Sequence, residues 1–439
     1  MTIKILDLFA GVSGLSLGFE MVKTEKGNSV FELWRAVEID KYACKTLRKL
    51  HGERKIIEGD LTKKEIHKKV IADCKGVVSV VVGGIPCQSF SLIGPRSGDG
   101  EKKIKFRNDK RDTLYTEFRD IVKEIRPKII VIENVKGILS KKNSKGKKII
   151  DKIITDFEKM NYNFTNKKNN KKFMLINAAD FGVPQKRERV ILIGINKKWK
   201  NISSPWIKPT HYNPKSENGK EYKNKKMLPY VTLFEAIGDL PELSAKITKT
   251  DLSEKDFKKI QKRNKNKKNG TDKVLLNKKE FKKHFSQITL SGKKFFEFIR
   301  PNGYEFIDNH VARSQQLSDI LLFKKMKQGE TAKEFFDRKP DLAGKLIKYD
   351  MKSFKDKYRK QCFDSFSTTV FAHLEKDGNR FIHPKEARTF TPREVARIQS
   401  FPDDMIFEGP LSKKFRQIGN AVPPLLSYNI GKAIYQLMI

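Results

Sequence analysis

The stretch Ile3-Lys4-Ile5-Leu6-Asp7-Leu8-Phe9-Ala10-Gly11-Val12-Ser13-Gly14-Leu15 decides the fold. A β-branched apolar run breaks at a Gly-bearing turn and resumes as a helical pattern, so it reads strand, turn, helix. Small residues in such a turn let the backbone approach a bound ligand closely. The G-x-G-x-x-G spacing of dinucleotide sites is missing, which argues against pyrophosphate binding. The same alternation continues to Ile195, with strands expected at Ile3 to Phe9, Leu33 to Glu38, Val77 to Gly83, Lys128 to Glu133, Phe173 to Ala178 and Arg189 to Ile195. Between them Leu114, Phe118, Ile121, Val122 and Ile125 share one helical face. Short strands separated by helices predict an α/β fold built from parallel βαβ units.

Past Asn196 the texture changes to Pro, Asn and Lys-rich sequence, and order returns from Phe381, with helices expected at Pro392 to Gln399 and Leu425 to Leu437. Three regions follow: 1–195, an irregular 196–380, and 381–439, a segment returning to complete the first. The 439 residues carry 92 Lys+Arg against 52 Asp+Glu, a formal charge of +40. Such a surplus calls for a polyanionic partner, nucleic acid first, although a Lys/Asn compositional bias produces the same number. Apolar runs such as Val77 to Ile85 are strand-sized, far short of the ~20 residues that span a bilayer. With no signal-like N-terminus, the chain is expected to stay in the cytoplasm. Cys44, Cys74, Cys87 and Cys362 form no C-x-x-C pair, and His310, His373 and His383 have no ligand spacing with them, so no metal is expected.

Several residues stand at expected strand ends, where open α/β sheets bind ligands. Glu38 ends the second strand, where an acid can hold ribose hydroxyls, and Asp60 in Glu58-Gly59-Asp60-Leu61 can accept from an adenine amino group. Together they describe a nucleoside pocket better than a dinucleotide one. Cys87 follows a strand and the turn Gly83-Gly84-Ile85-Pro86, a position that favours a nucleophile over a small buried apolar residue. Cys44 and Cys74 suit the buried reading better. An ordinary thiol is only about 3% thiolate at neutral pH, so positive charge or oriented donors are needed nearby. Glu133 ends the next strand, placed for general acid work. In Gln185-Lys186-Arg187-Glu188-Arg189, period two puts Arg187 and Arg189 on one side, unless both are surface charges.

The ordered set Phe9-Ala10-Gly11, Pro86-Cys87-Gln88, Glu133-Asn134-Val135, Gln185-x-Arg187-x-Arg189 and Gln417-Ile418-Gly419-Asn420-Ala421-Val422-Pro423-Pro424 resembles the cytosine-C5 DNA methyltransferases, over roughly residues 3 to 195 and 381 to 439. Arg388-Thr389-Phe390-Thr391-Pro392-Arg393-Glu394 and Gln399-Ser400-Phe401-Pro402 are similar to bacterial members of restriction-modification type. One departure is Ser13, where most members carry Gly. The resemblance implies a Rossmann-like methyltransferase sheet that binds S-adenosylmethionine, with a smaller irregular target-recognition domain at 196–380. It assigns Phe9, Gly11, Glu38, Asp60, Leu61 and Asn420 to the cofactor, and Cys87, Glu133, Arg187 and Arg189 to catalysis.

The implied reaction is methyl transfer to C5 of a cytosine flipped out of duplex DNA. Cys87 adds to C6, Glu133 serves N3 and the exocyclic amine, Arg189 holds the O2 edge, and Arg187 stands behind it or meets phosphate. The base that removes the C5 proton is water or a side chain. His310-Val311-Ala312-Arg313 and Thr368 to Pro384 are candidates for DNA contacts or for packing. A monomer acting on double-stranded DNA is expected, with a cognate endonuclease as its functional counterpart. An RNA (tRNA) cytosine methyltransferase of the same fold and a non-catalytic DNA-binding homologue are the competing readings. The 185-residue middle region argues against the first, and the intact Cys87, Glu133 and Arg pair against the second.

Overall fold

The computed structural model describes residues 2–86, 114–143, 146–216, 226–248, 273–301, 303, 305–347 and 357–439. Its packing resolves into two units, one of residues 1–181, 187–210 and 421–439, the other of residues 182–186 and 211–420. The segment 381–439 therefore parts between the units after residue 420.

The first unit is an α/β layer structure. Its strands are β1 (Ile3–Leu8), β2 (Phe31–Glu38), β3 (Ile56–Glu58), β4 (Val80–Gly84), β5 (Ile129–Val135), β6 (Tyr162–Asn163), β7 (Met174–Asn177) and β8 (Glu188–Asn196). Between them lie α1 (Gly14–Glu20), α2 (Lys41–His51), α3 (Lys64–Cys74), α4 (Leu114–Ile125) and α5 (Ile149–Glu158), and the unit closes with the C-terminal helix Pro424–Met438. The sheet order is β3-β2-β1-β4-β5-β8-β6, with β7 also pairing β8.

The expected parallel arrangement holds for β1 to β5 and ends there, because β8 runs antiparallel to β5, β6 and β7. A parallel return needs a crossover of a dozen or more residues. Between β7 and β8 there is only a turn of 3-10 helix, Ala178–Phe181, and a short loop. Reversal has a functional consequence: it lays the first residues of β8 beside the last residues of β5.

Leu6, Leu8, Val81, Ile130 and Ile132 share a core with Phe118, Ile121, Val122 and Phe157 of α4 and α5. On α4 the buried stripe runs through Tyr115, Phe118, Ile121, Val122 and Ile125, so Tyr115 rather than Leu114 completes the face. Asp40 starts α2 by accepting from the backbone N–H of Tyr42 (2.9 Å) and Ala43 (3.1 Å). The helix α1 packs on the C-terminal helix without room for side chains. A Cβ on Gly14 would fall 2.1 Å from Val422 O, and one on Gly18 2.2 Å from Pro424 O.

In the second unit the weakly periodic sequence forms short helices and two small ribbons. These are β9 (His211–Tyr212), β10 (Leu228–Pro229), β11 (Lys273–Leu275), β12 (Phe306–Asp308), α6 (Leu233–Ile237), α7 (Lys278–Gln287), α8 (Leu290–Ile299), α9 (Leu317–Lys325), α10 (Ala332–Arg338), α11 (Pro340–Leu346), α12 (Pro392–Ile398) and α13 (Leu411–Asn420). Helices this short cannot bury enough apolar area individually, and buried polar ties hold them. Glu235 caps two at once: Oε2 accepts from Thr232 N (2.8 Å) and Oε1 from Thr289 N (3.0 Å). Arg397 binds Asp403 through Nε and Nη2, both at 2.8 Å, and also binds Asp239. Arg300 Nε joins Asp403 at 2.6 Å. Among the described residues no helix is long and apolar enough to cross a membrane.

Candidate active site

The first turn of the fold bends by three left-handed residues in alternation, Phe9 (φ 58°), Gly11 (φ 56°) and Ser13 (φ 61°). Only glycine adopts that conformation without strain. Ser13 is fully buried, and its Oγ has no hydrogen-bond partner among the described residues. The turn is held from two sides. Gly11 N donates to Glu38 Oε2 at 2.7 Å, joining the end of β2 to the turn after β1. Below it, Ser16 Oγ donates to Asp7 Oδ2 at 2.5 Å. Burial pushes the Asp7 carboxyl up to about 7, against the lowering effect of the Ser16 bonds.

Glu38 Oε1 accepts from Ile39 N (3.0 Å) and Asp40 N (2.8 Å). Burial raises its pKa, and the N–H groups of Asp40, Gly11 and Ile39 oppose the rise. Gly59 N donates to Glu38 O at 2.9 Å, which brings the turn carrying Asp60 to the same sheet edge. Asp60 Oδ1 accepts from Thr62 N at 2.9 Å. The Leu61 side chain is buried in the core, so what it offers a ligand is backbone. Among the described residues a Cβ on Gly11 would meet nothing within 4 Å, so open space faces the turn. Ile39, which sequence reading passed over, is 64% exposed beside Glu38. Its signal was an apolar residue directly after a strand-end acid.

A second group of residues gathers at the ends of β4, β5 and β8. Gly84 pairs in register with Glu133, and a Cβ on Gly84 would fall 3.3 Å from Glu133 Oε2. Asn134 Nδ2 donates to Ile85 O at 3.4 Å, fixing the chain that leaves β4. Cys87, three residues beyond Gly84, lies outside the described residues. Across the antiparallel ladder Val135 faces Arg189, and Arg189 Nε meets Glu133 Oε1 at 2.8 Å. Arg187 is 2% exposed, and its Nη2 donates to Ala421 O at 2.9 Å.

The surface-charge alternative for the arginine pair therefore falls. Burial lowers both guanidinium pKa values; Arg189 adds to the lowering at Arg187, and Glu133 opposes it at both. Because a guanidinium keeps its proton, the lowering measures the cost of holding two cations in a dry place. Asn420 ends α13 in the second unit and is exposed.

Of the other cysteines, Cys44 and Cys74 are buried, and burial pushes both thiols up to about 12, too high for nucleophiles. His383, Glu386 and Glu394 come within 4.8 Å of one another. Arg388 already binds both carboxylates, at 2.9 Å to Glu386 Oε1 and 2.6 Å to Glu394 Oε1. His310 is packing: its Nε2 lies 2.8 Å from Pro241 O, a pure acceptor, so that nitrogen carries the proton.

The sequence model of the C-5 cytosine-specific DNA methylases matches residues 3–436. The chain belongs to that family. It is a DNA cytosine-C5 methyltransferase. The enzyme is 30% identical to the Escherichia coli type II methyltransferase M.Eco47II, over 99% of this chain and 79% of that one. It is 31% identical to the Neisseria gonorrhoeae type II methyltransferase M.NgoFVII, over 98% and 86% of the two chains. A solved chain described as a prophage-encoded DNA modification methyltransferase (E. coli) shares the methyltransferase's fold with a TM-score of 0.62 at 23% identity, covering 100% of this chain and 99% of that one.

Proposed function

We propose that this enzyme methylates C5 of a cytosine extruded from a specific duplex DNA sequence, with Cys87 as the nucleophile. The observation that carries the reading is the buried Glu133–Arg189 pair beside the end of the strand that leads to Cys87. Cytosine C5 is a poor nucleophile until a group adds at C6. Addition of the Cys87 thiolate forms an Sγ–C6 bond and moves the C5–C6 double-bond electrons toward C5. Glu133 Oε1 is engaged by Arg189, while Oε2, facing Gly84, is directed to N3 and the exocyclic amine. Arg189 offsets the charge that develops at O2, and Arg187 stiffens the wall behind it. Once C5 is methylated, its proton goes to a base and the Sγ–C6 bond breaks, returning the thiolate.

S-adenosylmethionine fits the other edge. Open space before Gly11, the exposed Ile39 and the strand-end Glu38 suit an apolar ring and ribose hydroxyls. Phe9, Gly11, Glu38, Asp60 and Leu61 would hold it, with Asn420. When bound it supplies a methyl group carried on a sulfonium. Residues 196 to about 380, most of which fall in the second unit, would read the target sequence, with their lysines gripping phosphate. The type II names of the relatives support a modification role beside a restriction endonuclease.

Unmethylated duplex DNA and tRNA, each offered with labelled cofactor, test the reaction; label in tRNA alone would overturn it. Cys87→Ser should abolish turnover and keep DNA binding. DNA carrying 5-fluorocytosine, which cannot lose a C5 proton, should trap an adduct on Cys87. An adduct on Cys362 instead would refute the assignment.

A further inference from the structure

Two glutamines outside the proposed chemistry are fully buried, Gln185 and Gln399. Gln185 Nε2 donates to Ile398 O at 3.0 Å and to Gln399 Oε1 at 2.6 Å, and its Oε1 accepts from Val370 N at 3.1 Å. Gln399 Nε2 passes the chain on to Ile418 O at 2.8 Å. One side-chain relay therefore ties segment 182–186 to the last turn of α13, all within the second unit. The same turn is fixed once more, because Gly419 lies so close to Phe371 that a Cβ there would fall 2.6 Å from its carbonyl carbon.

The two ends of the relay have neighbours with proposed roles. Arg187 stands two residues after Gln185, and Asn420 two residues after Ile418. Within the first unit the same two stretches are joined again, by Arg187 Nη2 to Ala421 O at 2.9 Å. A stretch carrying a base-side group and a stretch carrying a cofactor-side group are thus lashed together on either side of those residues. An amide suits the middle of the relay because it presents an NH2 donor group and a carbonyl acceptor in one fixed plane, and each meets its complement. No apolar side chain of that length does both.

We infer that Gln399 is a positioning residue for methyl transfer: with Gln185 it sets the spacing between the segment that presents Arg187 and the segment that presents Asn420. Being fully buried, it touches neither DNA nor cofactor. The inference rests on the roles proposed above for Arg187 and Asn420.

The test uses the full chain, unmethylated plasmid DNA and tritiated S-adenosylmethionine. Gln399→Met should lower the single-turnover rate about tenfold and weaken cofactor binding without DNA, read by equilibrium dialysis, by about threefold or more. Gln185→Met should match it, and the double variant should be no worse than either, as members of one relay behave. Thr391→Val removes the N-cap of the same helix, α12, without touching the relay. At equal distance below its own melting temperature it should turn over as wild type does. A double variant that loses the product of the two single losses, or a Thr391→Val enzyme as slow as Gln399→Met, would overturn the inference. Arg187→Ala and Asn420→Ala separate the two levels. If both behave as wild type, the proposed roles fail; if both are impaired while Gln399→Met is not, the relay fails alone.

Discussion

Replacing Gly18 by Ala probes the contact that carries the end of the chain onto α1. The added Cβ would fall 2.2 Å from Pro424 O, 2.5 Å from Ser427 Cβ and 2.6 Å from Tyr428 N. Two of those three atoms are backbone, so no rotamer change relieves the clash and the C-terminal helix must move. Overpacking of this kind costs about 3 kcal/mol. The better helix propensity of Ala returns about 1 kcal/mol, for a net loss of about 2 kcal/mol. At about 2–4 °C per kcal/mol for a unit of this size, the melting temperature should fall by about 4–8 °C. The same movement draws Ala421 O away from Arg187, so methyl transfer should fall as well. Gly344, also helical, has nothing within 4 Å of its notional Cβ among the described residues. Gly344→Ala should therefore raise the melting temperature, by about 3 °C for about 1 kcal/mol of propensity. Thermal shift on both proteins reads the two signs side by side. A Gly18→Ala enzyme that melts at or above the wild-type temperature would refute the close packing.

Ser13→Gly removes a left-handed non-glycine residue and a buried hydroxyl with no partner among the described residues, so it should stabilise by about 1 kcal/mol, visible as a higher denaturant midpoint at unchanged slope. Asp7 binds its proton more tightly folded than unfolded, with a pKa raised from 3.8 to about 7. Its contribution to stability is full below pH about 4 and is lost as pH rises to about 7, since the native state holds the extra proton in that window. Asp7→Asn should therefore gain stability relative to wild type from pH 5 to pH 8, and a pH-independent difference would count against a buried neutral carboxyl. DNA affinity should fall with salt at a log-log slope of about −0.9 per phosphate contacted. A flat dependence would make the +40 charge a matter of composition alone.

The division between the two sources of information follows the range of the interactions. The turn from Asp7 to Leu15, the strand ending at Glu38, the strand leading to Gly84 and the helix from Pro392 were legible because each is specified by residues a few positions apart. The same local chemistry sorts Cys44 and Cys74 away from Cys87, and both thiols are buried, with pKa values raised by that burial. Local pattern did not reveal that β8 turns back against β5, since strand direction is set by the length of the connection and by which edge remains to be covered. That reversal alone makes partners of Glu133 and Arg189, 56 residues apart in a sequence whose period-two reading only placed the arginines on one side. Likewise nothing in the local sequence says that Gly14 and Gly18 face Val422 and Pro424 too closely for a side chain. Residue type and short spacing determined which groups this chain brings to the reaction. Burial and long-range register, which depend on every neighbour at once, decided which of them meet.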